Sequence, residues 1–166
     1  MPTKTAPHDL LVAFLLVQSL LERRSEAFFQ PYGLTGAQFN ILNLLAHHDG
    51  RLDQATLVEL LLVGKSSISI VLNRMVRDGL VQRQEHLKDR RQVVLTLTPI
   101  GRALWRKIQP RYETSVEKIF GSLPPSRRPL FLHDLKTLHD AFASVDGIAA
   151  PGSRWAMLFP DDKGIV

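Results

Sequence analysis

Apolar residues recur along this chain in two rhythms, a helical one at both ends and a mixed one in the middle. From Asp9 to about Gln30, Leu10, Leu11, Phe14, Leu15, Leu21, Phe28 and Phe29 follow helical spacing but cover more than one face. Asp9 reads as the N-cap of that helix, and residues 1–8, with two prolines and no periodicity, read as a flexible arm. A helix apolar on several sides needs cover from several sides, so this one is expected at a subunit interface. Pro31-Tyr32-Gly33 ends it. Thr35 with Gln38 three positions later has the form of a capping box, and Leu34 with Phe39 is placed as a hydrophobic staple, which predicts a second helix over 36–47. After an Asp49-Gly50 turn, Asp53 caps a third helix from Gln54 to about Leu62, with Leu57, Leu60 and Leu61 pointing inward.

The middle stretch, 64–101, changes rhythm twice. Ile68, Val71, Leu72, Met75 and Gly79 share one side of a predicted helix, while Ser66, Ile70, Asn73 and Arg77 share the opposite side. Gly79 stops the helix, and the β-rich runs 80–86 and 92–97 flank Leu87-Lys88-Asp89-Arg90-Arg91, which predicts a two-stranded hairpin with a basic tip. Thr98-Pro99 then caps and opens a helix reaching Gly121, with Leu104, Ile108, Tyr112, Val116, Ile119 and Leu123 spaced as one long helical seam. Trp105 reads as a core or interface residue in preference to a ligand-pocket wall. Beyond Pro124-Pro125 a last helix sets Phe131, Leu135, Leu138, Phe142 and Val145 at steps of four and three, a seam suited to a partner chain. From Asp146 the composition shifts to Gly, Ala, Pro and Ser, followed by Trp155 to Phe159, a tail whose role the pattern does not assign.

Composition narrows the choices. With 166 residues and 45% hydrophobic content the chain can build one real core plus an oligomerisation element. Cysteine is absent, which removes disulfides, thiolate metal sites and thiol redox sensing and agrees with a cytoplasmic setting. The apolar run 10–21 is followed by Glu22-Arg23-Arg24 where a signal peptide would have small residues, and it is too short to span a bilayer, so a buried helix is expected there. The formal charge is +5, and between 64 and 101 Lys65, Arg74, Arg77, Arg83, Lys88, Arg90 and Arg91 stand against only Asp78, Glu85 and Asp89. An anionic partner at the helix and hairpin tip is the reading this concentration favours, with a solvated basic face as the plain alternative.

Other chemistries find little support. His47-His48-Asp49 sits at a helix end with divergent side-chain directions and no third ligand at a suitable spacing, so no metal is expected. No nucleophile-base pair, paired carboxylates or phosphate-cradling glycine loop stands in a convincing context, so neither an enzyme nor a bound cofactor is expected. The hydrophobic helices show seams instead of one basic amphipathic face, which argues against membrane binding.

Two helices joined by a tight turn, followed by a hairpin, make a winged helix-turn-helix. The block 62–69, the run Arg74 to Val81, the Asp89-Arg90-Arg91 tip and Leu97-Thr98-Pro99-Ile100-Gly101 resemble the MarR family of bacterial transcriptional regulators, over about residues 9–145. The fold class expected is therefore mainly α with a small β-hairpin: a winged helix-turn-helix lobe at 35–97, a helical dimerisation region at 9–34 and 98–145, and a C-terminal tail at 146–166. The resemblance implies a homodimer on an inverted-repeat, double-stranded operator, acting as a repressor, with the recognition helix in a major groove and the wing in the adjacent minor groove. It also implies a small aromatic or lipophilic effector between the lobes. Candidate DNA-binding residues are Lys65, Ser66, Ser67 and Ser69 near the start of the recognition helix, Asn73, Arg74 and Arg77 farther along, and Lys88, Arg90 and Arg91 on the wing, with Asp89 holding the wing turn. Gly64 stands where the family usually has a Ser or Thr cap, and Ile70 where a polar residue is common, so operator preference does not carry over. Ile70 is either plain surface or a contact for a thymine methyl. A winged-helix module that meets an acidic protein partner is the alternative function.

Overall fold

The computed structural model describes residues 5–61, 65–85 and 93–146, together with Trp155 and Leu158. Along the chain run α1 (Pro7–Phe29), α2 (Gly36–His47), β1 (Arg51–Asp53), α3 (Gln54–Leu60), α4 (Lys65–Arg77), β2 (Val81–Glu85), β3 (Val93–Leu97), α5 (Pro99–Phe120) and α6 (Arg128–Asp146), with single 3-10 turns at Gln30–Tyr32 and Pro125–Arg127.

Local signals set most boundaries. Thr35 accepts from the Gln38 amide at 3.2 Å, while Gln38 Oε1 accepts from the Thr35 amide at 2.8 Å, so the capping box is complete and Leu34 and Phe39 are both buried beneath it. Asp53 caps α3 as expected. The first helix differs from the expectation: it begins at Pro7, one position after Ala6, and Asp9 is its third residue, accepting from the Ala6 amide at 2.9 Å. Proline at the first position needs no amide partner, and an acidic side chain in the first turn is favoured by the helix dipole, so the start lies nearer the N-terminus than the Asp9 signal alone suggested. The third helix ends at Leu60 instead of Leu62, because Leu61 is already extended, with ψ 135°.

The hairpin also gains a strand. Β1 pairs antiparallel with β3, giving the order β1-β3-β2, with Leu52 opposite Leu95 and Arg83 of β2 opposite the same Leu95. This third strand closes the sheet on the helical lobe, since Leu95 is fully buried.

The core lies in the lobe and is closed by the end of α1 and the middle of α5. Phe39, Leu42, Leu45, Leu57, Leu72, Met75, Leu95 and Ile108 expose nothing to solvent. Phe39 stacks on Phe29 at 4.7 Å between ring centroids and meets Tyr112 at 4.8 Å, so the end of α1 and the middle of α5 are both fastened to α2. Burial pushes the Tyr112 phenol pKa up. Trp105 is a packing residue, as expected: it lies against the core and donates its indole N–H to Asn43 Oδ1 at 3.1 Å.

Outside the lobe the picture reverses. Nine large apolar side chains of α1, from Leu10 to Leu21, are 43–64% exposed, and Ile119, Phe120, Leu130, Phe131, Leu138, Phe142 and Val145 of α5 and α6 are exposed as well. The corner between α5 and α6 is stapled by Arg128, whose Nε donates to Leu123 O at 3.0 Å and whose Nη2 lies 3.6 Å from Glu117 Oε1. Trp155 of the tail lies 5.6 Å, ring to ring, from His139 of α6.

Candidate nucleic-acid interface

Helix α4 is sorted cleanly into two faces. Ile68, Leu72 and Met75 are 0–2% exposed, whereas Ser69, Ile70, Asn73, Arg74 and Arg77 are exposed, Ile70 to 74%. The inner residues repeat at four and three, which clamps the helix by one stripe and turns the opposite strip to solvent. That strip combines hydroxyl, carboxamide and guanidinium groups, the donors and acceptors that meet phosphate oxygens and base edges. Arg74 Nε lies 3.6 Å from Asp78 Oδ2, an exposed pair one helical turn apart and easily exchanged for another anion.

The supports of α4 are equally specific. On its upstream side, α3 is capped by Asp53, which accepts from the Thr56 amide at 2.7 Å and from the Thr56 hydroxyl at 2.6 Å. Burial alone would raise this carboxyl pKa, but the bonds from the Thr56 hydroxyl and the Thr56, Asp53 and Ala55 amides hold it below the usual carboxylate range. On its downstream side, Gly79 takes φ +69°, and the Gly79 and Leu80 amides return to Val76 O and Met75 O at 3.1 and 2.9 Å, a Schellman close. Thr98 ties this end to the next helix: its hydroxyl donates to Gly79 O at 2.6 Å and accepts from the Gly101 amide at 3.0 Å. Gly101 must be glycine, because a Cβ there would run into the Leu80 carbonyl oxygen. The Leu-Thr-x-x-Gly spacing thus has a mechanical meaning, since it locks the end of α4, the root of the wing and the start of α5 at one point.

Of the expected site residues, Ser69, Asn73, Arg74 and Arg77 are exposed on α4. The backbone of Lys65, Ser66 and Ser67 lies in the first turn of α4, but their side chains fall outside what the structure describes, and Lys88, Asp89, Arg90, Arg91 and Gly64 lie outside the described residues. One residue that the sequence reading counted only as part of the basic charge also belongs to the site. Arg83, on β2, donates from Nη1 to Asn73 Oδ1 at 2.6 Å and so links the wing to the outward strip. Its signal was present: two residues after the buried Val81 and opposite the buried Leu95, Arg83 occupies an inward phase of the strand, an unusual place for a guanidinium without a partner.

Comparison with known proteins points the same way. A MarR family model matches residues 32–92, the segment containing α2 to the wing. The repressor NicR of Pseudomonas putida, an HTH-type transcriptional repressor, is 31% identical over 146 residues, covering 84% of this chain and 90% of the relative. Sco3205 of Streptomyces coelicolor, a MarR family regulator solved in complex with DNA, has the same fold at a TM-score of 0.75 and 21% identity, covering 85% of this chain and 91% of its own. The organohalide-sensing regulator RdhR-CbdbA1625, solved with 2,4-dichlorophenol bound, superposes at a TM-score of 0.72 and 20% identity, covering 84% of this chain and 82% of its own. With the winged lobe, the two-faced α4 and these relatives in agreement, the chain belongs to the MarR family of DNA-binding transcriptional regulators and is not an enzyme.

Proposed function

We propose that this regulator is a homodimeric, cytoplasmic repressor that binds an inverted-repeat operator through α4 and the wing and releases it when a small aromatic or lipophilic molecule binds. The observation that carries this reading is the two-faced α4: its inner stripe is fixed in the core, and its outer strip of Ser69, Asn73, Arg74 and Arg77 is exposed beside the wing. Lys65, Ser66 and Ser67 would serve the first turn, where helix amides also attract phosphate, and Lys88, Arg90 and Arg91 would enter a minor groove from the wing with Asp89 holding the turn. Residues 35–97 would form the DNA-binding lobe and residues 9–34 and 98–145 the dimerisation region, with 1–8 an arm and 146–166 a tail. The exposed apolar side chains of α1, α5 and α6 favour a second copy as their cover. A soluble chain suits this role, and among the described residues no helix is long and apolar enough to cross a membrane.

The effector class is suggested by the regulator of the same fold that holds 2,4-dichlorophenol, so chlorinated phenols are the first molecules to titrate. Selection of genomic fragments on purified protein tests the whole reading. Enriched fragments should share an inverted repeat with half-sites about 10 base pairs apart centre to centre. Enrichment without any shared motif would contradict it.

A further inference from the structure

The bond between Arg83 and Asn73 constrains what Asn73 can offer to DNA. Arg83 leaves the sheet on the same face as Val81, at the point where that face runs past the core and meets the outer strip of α4. Its Nη1 lies 2.6 Å from Asn73 Oδ1, and both side chains are exposed. A guanidinium only donates, so the carboxamide must turn its oxygen toward the wing and its amide nitrogen away from it. A free asparagine presents one acceptor and one donor, the combination that matches N6 and N7 of adenine. Here the acceptor is engaged by a cation. The remaining lone pair of Oδ1 sits beside a positive charge, which disfavours the partially positive amino groups of adenine and cytosine. The two Nδ2 hydrogens stay available.

We infer that Arg83 is a positioning residue which holds Asn73 as a donor-only reader, so that each half-site carries an acceptor edge, guanine N7 and O6, at the base pair facing Asn73. This rests on the proposal that α4 enters the major groove. Arg83 acts through Asn73 and keeps its other N–H groups for a phosphate, which couples seating of the wing to base choice on the recognition helix.

The test is operator selection from a randomised duplex library with the full-length wild type, Asn73→Ala and Arg83→Ala, alongside thermal melting of each. Asn73→Ala identifies the base pair that residue reads, as the position where preference disappears. The wild type is expected to select guanine there, and Arg83→Ala, melting like the wild type, is expected to shift the guanine-to-adenine ratio toward adenine by roughly tenfold at that position alone. Three results would overturn the inference: adenine already preferred by the wild type at that position, an unchanged base ratio in Arg83→Ala with only a uniform loss of affinity, or no position altered by Asn73→Ala. If the wild type enriches no motif, the DNA-reading proposal itself fails and takes this inference with it, an outcome separable from the other three because they all require an enriched wild-type motif.

Discussion

The winged lobe and the long helices around it treat the same residue types in opposite ways. In the lobe, Phe39, Leu42 and Leu72 are sealed from solvent by neighbours on the same chain, whereas on α1 Leu15, Leu16 and Val17 are 52–64% exposed. Apolar surface withdrawn from water contributes about 25 cal/mol per Å², so the lobe, closed by the end of α1 and the middle of α5, gains its stability within one chain, whereas the exposed stretches of the long helices gain it only when something covers them. The difference divides labour: the lobe holds α4 by a buried stripe, and the helices leave an exposed apolar surface that, under the proposal above, a second chain covers.

The largest expected effect strikes the side that is buried within one chain. Phe39→Ala removes a ring that stacks on Phe29 and touches Tyr112, and should cost about 3–5 kcal/mol of unfolding free energy, read by denaturant titration and independent of protein concentration. Leu15→Ala probes the other side. Within one chain this half-exposed side chain should matter little, but a partner that buries it makes the cost about 1.5–3 kcal/mol per chain, with a melting temperature that depends on protein concentration. Equal, concentration-independent losses in both variants would erase the distinction between the two regions.

Next come the groups proposed to meet DNA. Arg91→Ala should weaken operator binding by about 1–3 kcal/mol and lower the salt slope by about one unit, with little change in folding. Asp89→Ala should do less, and its effect should shrink in an Arg90→Ala/Arg91→Ala background if its task is to hold the wing turn. An unchanged salt slope in the double Arg variant would make the wing a solvated tip.

The smallest effect concerns the cap beneath the interface. Asp53→Ala should cost about 0.5–2 kcal/mol at neutral pH. Because the folded-state pKa of Asp53 is lowered relative to its ordinary value, ionisation favours the folded state. That contribution is complete above the unfolded-state pKa and disappears as pH falls through the lowered folded one, so denaturation of the wild type and Asp53→Ala should converge in strong acid and differ at neutral pH.

What could be read from the chain alone follows the range of the interactions involved. The Thr35–Gln38 box, the Asp53 cap, the Gly79 stop and the Thr98-Pro99 start act within a few residues and were legible as written. Strand β1 was not, because three residues around Leu52 become a strand only by pairing with Leu95, more than forty positions away. Asp9 was legible as a helix-start signal but not as the third residue, since the true first position is a proline whose missing amide leaves no pattern in the polar residues. The two faces of α4 followed from periodicity, yet the link from Arg83 to Asn73 depends on strand register and on the angle at which the wing meets the helix.

The central claim is that two chains, joined through the uncovered helices, present two copies of α4 to one operator. Sedimentation of the purified protein with a duplex carrying the full inverted repeat, and with a duplex carrying one half-site, measures this directly. Two chains per full repeat, with a half-site duplex bound far more weakly, is the result the proposed dimer predicts. A single folded chain bound to the half-site duplex as tightly as to the full repeat would contradict it.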